Sequence, residues 1–108
     1  MSEEPVEIRA PAGARTVEID WADGTTVVYP HRVLRGFCPC AACQGHQGPV
    51  TFRDGAYDLE LTAIEEVGSY AVRLTWGDGH STGIYSFAFL RALAAACVGD
   101  PATVEIMR

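Results

Sequence analysis

Apolar and polar residues alternate along two well-separated stretches of this chain. Val17, Ile19 and Trp21 alternate with Glu18 and Asp20, and Val72, Leu74 and Trp76 alternate with Arg73 and Thr75. A period of two sends successive side chains to opposite faces of a strand, so both stretches are predicted to be strands with one face buried. The first turns at Ala22-Asp23-Gly24-Thr25 and returns as Thr26-Val27-Val28-Tyr29, which makes a hairpin. Alternation from Tyr57 to Ile64 predicts a strand that reaches the second stretch through a turn at Gly68-Ser69. Val6-Glu7-Ile8-Arg9 predicts an edge strand, and Thr103-Val104-Glu105-Ile106 a closing one.

Helical spacing is weaker and later. His31 to Arg35, just after Pro30, has room for one or two helical turns. Ser86 is placed as an N-cap ahead of Phe87, Leu90, Leu93, Ala94 and Cys97, and Gly99 with Pro101 stop the helix. The pattern as a whole predicts an α+β fold: a small antiparallel sheet built from two hairpin-like strand-turn-strand units, one main C-terminal helix, and a metal-binding loop between them. Residues 1–14 read as a loosely attached lead-in, and residues 15–108 as the single domain.

The two units repeat each other. Trp21-Ala22-Asp23-Gly24 matches Trp76-Gly77-Asp78-Gly79 at an offset of 55, and Tyr29 with Leu34-Arg35 matches Tyr85 with Leu90-Arg91 at an offset of 56. The shared unit is a strand, a Trp-x-Asp-Gly turn, a return strand carrying Tyr, and a helix carrying Leu-Arg.

With 108 residues, 48% apolar and 20% charged, the chain has the composition of one globular domain. The net charge of −6 opposes binding to phosphate backbones, so nucleic acid is not expected as a partner. Apolar runs are too short for a membrane span, and Met1-Ser2-Glu3-Glu4-Pro5 is acidic where a signal peptide is basic and then apolar; a cytoplasmic location is expected.

Candidate chemistry gathers at Cys38-Pro39-Cys40-Ala41-Ala42-Cys43, three thiols within six residues. In a reducing compartment such a cluster reads as ligands for one structural zinc ion, tetrahedral and closed by a histidine. His80, in the turn after Trp76, is the expected fourth ligand, because binding it clips the loop to the sheet; His46 is the local alternative, and His31 reads as a solvated or capping residue. Cys97 falls on the apolar helix face and is expected in the core. Asp23 and Asp78 lie in Asp-Gly turns, Glu65-Glu66 reads as strand-end solvation, and Ser81-Thr82 lacks a base with an orienting partner. No catalytic residues are assigned.

Leu34-Arg35, the cysteine cluster, Trp76-Gly77-Asp78-Gly79-His80, Gly83-Ile84-Tyr85 and Leu90-Arg91 together resemble the gamma-butyrobetaine hydroxylase-like N-terminal domain, over roughly residues 15 to 97. That resemblance implies zinc held by three cysteines and a histidine, here Cys38, Cys40, Cys43 and His80. It also implies a domain found ahead of a hydroxylase, alone in bacteria, or joined to P-loop ATPases of the iron-sulfur carrier type. No histidine here begins a His-x-Asp/Glu pair for an oxygenase iron. The expectation is therefore a zinc-stabilised, non-catalytic interaction module with an unidentified protein partner, or alternatively an accessory in iron-sulfur binding or transfer.

Overall fold

The alternating stretches form strands, and each unit builds a sheet of its own. The structure, a computed structural model, describes residues 4–11, 13–39, 44, 49–53, 60–77 and 83–106. In the first unit β1 (Pro5–Arg9), β2 (Thr16–Trp21) and β3 (Thr26–Pro30) form an antiparallel sheet in that order, followed directly by helix α1 (His31–Gly36). In the second, β5 (Leu61–Val67), β6 (Ala71–Trp76) and β7 (Gly83–Ser86) form another, followed directly by helix α2 (Phe87–Cys97). Between them in sequence lies β4 (Val50–Thr51), which pairs antiparallel with β8 (Glu105–Ile106) beyond a 3-10 turn at Pro101–Thr103.

The expected single sheet is thus two three-stranded sheets and a two-stranded pair. Helix α2 packs against both β3 and β7, the last strand of each sheet. Burial in the central strands follows the alternation: Val17, Ile19 and Trp21 of β2 and Val72, Leu74 and Trp76 of β6 are all buried. β5 runs past Ile64 to Val67, farther than the alternation indicated. A register shift between Leu61 and Ala63 moves its inward positions from odd to even numbers, which breaks the pattern in the sequence. The α2 face is also rotated, with Phe89, Leu90, Leu93 and Ala96 buried and Phe87 only half-buried.

The repeat extends to backbone hydrogen bonds. Ala22 N–H donates to Glu4 O, and Gly77 N–H to Glu60 O; His31 N–H donates to Arg15 O, and Phe87 N–H to Tyr70 O. Both helices start from an extended residue, Pro30 and Ser86, with the Ser86 hydroxyl accepting from Phe89 N–H. The two units then clasp each other. The Tyr29 hydroxyl donates to Leu90 O in α2 at 2.7 Å, and the equivalent Tyr85 hydroxyl donates to Leu34 O in α1 at 2.6 Å. Reciprocal contacts of this kind are what a two-fold relation between like units produces. Along that relation runs a closed apolar seam of about 10 Å³, walled by the equivalent pairs Ile8 and Ile64, Val17 and Val72, Ile19 and Leu74, and Leu34 and Leu90. Among the described residues, no helix is long and apolar enough to cross a membrane.

Candidate functional site

The predicted metal site was the first place to look for chemistry. Cys38 lies two residues beyond α1, and its side chain is fully buried within the core that also holds Phe37, Val50 and Tyr85. It packs against β7 where Gly83 offers no side chain: a Cβ there would lie 2.7 Å from the Cys38 sulfur and 3.0 Å from the Tyr85 ring. His31 is buried as well, edge-on to the Trp76 indole with ring centroids 5.5 Å apart, and is not the solvated residue expected. Cys40, Cys43, His46 and His80 lie outside the described residues. Among the described residues, no group of three or more His, Cys, Asp or Glu side chains is placed to hold a metal ion. Cys38 and Cys97 are both thiols.

The reading of this chain as a zinc-clipped module is corrected on that finding, and its iron-sulfur alternative with it. The physical reason lies in where the sulfur of Cys38 goes. A closed site needs four ligands around one ion, and among the described residues no such group includes Cys38, whose sulfur lies where Gly83 leaves space. Among the described residues the two units are tied together by the tyrosine clasp, the apolar seam, the Asp23–Arg91 ion pair and the His31–Trp76 contact. The zinc-binding loop of the expected fold is likewise not shown.

The concave surface lies elsewhere. An open groove of about 480 Å³ runs along β1, bounded on one side by Glu4, Pro5, Val6, Glu7 and Ile8 and on the other by Glu66, Gly68, Ser69, Val72 and Phe87. Four consecutive strand residues, Pro5 to Ile8, can line one groove only if it follows the strand's edge, since a groove over a face would meet every second residue. That edge is the outer one: among the described residues β1 hydrogen-bonds to β2 alone. A register shift between Pro5 and Glu7 leaves Val6 as an extra residue, and it stands 71% exposed. A second open groove, of about 320 Å³, is lined by Ala10, Pro11, Gly13, Arg15, His31, Glu60 and Leu61. Glu60, Leu61 and His31 stand at an offset of 56 from Glu4, Pro5 and Phe87, so the second groove is the first as the other unit builds it.

The charged network on β1 holds the strand in place. The Arg9 guanidinium bonds both oxygens of Asp20, at 2.7 and 3.0 Å, and also reaches Glu7 at 2.9 Å and Glu18 at 3.2 Å. Those bonds, with one from the Thr26 hydroxyl, lower the Asp20 carboxyl to about 2, and they raise Arg9 above its ordinary value. Asp23 is lowered mainly by the Thr25 N–H of its own turn and also pairs with Arg91 at 2.7 Å. Burial raises the Tyr29 phenol, and burial pushes the Cys97 thiol up to about 11, which keeps it protonated and unreactive at neutral pH. Each of these shifts has a packing or turn explanation.

Known proteins share this architecture. The family model described as gamma-butyrobetaine hydroxylase-like, N-terminal, matches residues 8–91, well over half of the chain. The chain belongs to that family. A crystal structure of a protein of unknown function from the DUF971 family of Acidithiobacillus ferrooxidans ATCC 23270 is 37% identical, with 86% of this chain and 94% of that one covered and a TM-score of 0.66. Two solution NMR structures are also similar, one at 31% identity, covering 90% of this chain and 73% of the other with a TM-score of 0.70, and one at 28%, covering 85% and 73% with a TM-score of 0.63. No curated protein matches. The match is to the N-terminal part of a hydroxylase-like architecture, and these 108 residues hold that domain without a hydroxylase catalytic domain. Neither groove was flagged in the sequence of this family member. The signal that could have found them is the repeat itself, because Glu66 stands where the first unit has Ala10.

Proposed function

We propose that this domain is a non-catalytic protein-docking domain of the cytoplasm. The observation that supports it is the groove along the outer edge of β1, where the exposed Val6 and half-buried Phe87 offer apolar surface beside backbone that, among the described residues, pairs with β2 alone. Strand edges and apolar clefts are the two features by which folded domains hold extended segments of other proteins. The net charge of −6 argues against a nucleic-acid partner, and the free thiols of buried Cys38 and half-buried Cys97 suit a reducing compartment. Against catalysis, the perturbed groups of the described residues are the Arg9–Asp20 pair, the turn carboxylate Asp23, and Tyr29 and Cys97, shifted respectively by ion pairing, a turn hydrogen bond and burial.

The test is site-specific photo-cross-linking in cells that make the protein. A photoreactive residue is placed in turn at the exposed positions Val6, Val28, Tyr70, Ile84 and Val98. A single protein adduct from one of these positions, absent from the others, is expected. Failure to form a reproducible adduct from all five would contradict the docking reading.

A further inference from the structure

The two grooves are one feature built twice, and they differ in charge. Glu66 in the β1 groove corresponds to Ala10 in its mate, and Phe87 corresponds to His31. Among the described residues, the β1 groove is lined by three carboxylates, Glu4, Glu7 and Glu66, with no basic side chain, whereas its mate sets Arg15 and His31 against Glu60. Glu7 is shared with Arg9, so Glu4 and Glu66, both exposed, carry most of the open negative charge. The core pairs of the two units stay alike while these positions diverge, which places the difference in what each groove meets.

We infer that the β1 groove binds an extended peptide segment of a partner protein in which arginine or lysine alternates with apolar residues. This rests on the docking reading above and narrows it. Alternation follows from the lining: an extended segment lying along β1 meets apolar side chains at Val6, Val72 and Phe87 interleaved with carboxylates at Glu4 and Glu66, so apolar and basic residues must interleave along it. A second copy of this chain is disfavoured as the occupant, because two chains of net charge −6 repel and each would bring the same acidic edge.

The test uses the full chain and two capped octapeptides, one alternating arginine with valine and the other alternating glutamate with valine. Backbone amide shifts are followed by NMR as each is added. The arginine peptide is expected to shift Glu4 to Arg9, Glu66 to Ser69 and Phe87, and the glutamate peptide to leave them in place. In the Glu4→Lys/Glu66→Lys variant the arginine peptide should bind about tenfold more weakly, the effect of reversing two exposed ion pairs, and the glutamate peptide should gain. Shifts centred on Arg15, His31 and Glu60, or arginine-peptide binding that the double variant leaves unchanged, would overturn the inference. Cross-linking from Val28 or Ile84 but not Val6 would overturn it too while leaving the docking reading intact.

Discussion

Gly83 is the residue at which Cys38 meets strand β7, and the contact sets what can be changed there. A methyl on Gly83 would collide with the Cys38 sulfur and crowd the Tyr85 ring. Gly83→Ala should therefore destabilise the domain by about 1–3 kcal/mol, the usual range for overpacking a core. Replacing Cys38 with Ala removes the colliding atom, so the double variant should recover part of that loss in urea unfolding, leaving a positive coupling between the sites. Strictly additive losses would show that the sulfur does not fill this space. Cys38 was legible in the sequence as an unusual residue, but thiols serve equally as ligands and as small core side chains. Its contact with Gly83, forty-five positions away, is one that no spacing within the cysteine cluster could reveal. The same holds for Phe89, which is not among the expected apolar positions of the helix and is buried by the rotation of α2.

Strand β1 is the element on which the proposed function depends, and Arg9 is what fixes it to β2. Because the Asp20 carboxyl is lowered to about 2, its ion pair contributes to stability above the ordinary carboxylate value of 3.8 and is lost as the pH falls through about 2. In an Arg9→Met variant, an NMR titration of the Asp20 side chain should show its pKa rising toward 3.8, short of it because the Thr26 hydroxyl still donates at 2.8 Å. An unmoved titration would mean that Arg9 does not hold this edge. Elements were legible where alternation was uninterrupted, as in β2 and β6, and at the Ser86 cap, whose hydroxyl accepts the expected N–H. They were less so at β5, where a register shift disguises the period, and at β4, whose two residues form a strand only because β8 comes alongside. The groove on β1 was hidden for a related reason: its two walls come from different units, so no local pattern contains it.

The whole molecule is two copies of a strand-turn-strand-helix unit closed on one another, and the account turns on that closure. Sequence comparison of the halves revealed the units, because the Trp, Tyr and Leu-Arg positions recur, but not how they meet. The structure supplies the crossing: each tyrosine reaches the other unit's helix, and the seam between them is apolar. Stability then comes from equivalent contacts made twice, which leaves the β1 edge available for a partner. The most direct measurement is urea unfolding of Tyr29→Phe and Tyr85→Phe side by side. Each substitution deletes one buried hydroxyl and its hydrogen bond to the other unit's helix, so each should cost about 1 kcal/mol, and the two losses should agree closely. A clear loss at Tyr29 with none at Tyr85, or the reverse, would contradict the reciprocal clasp and the two-fold reading built on it.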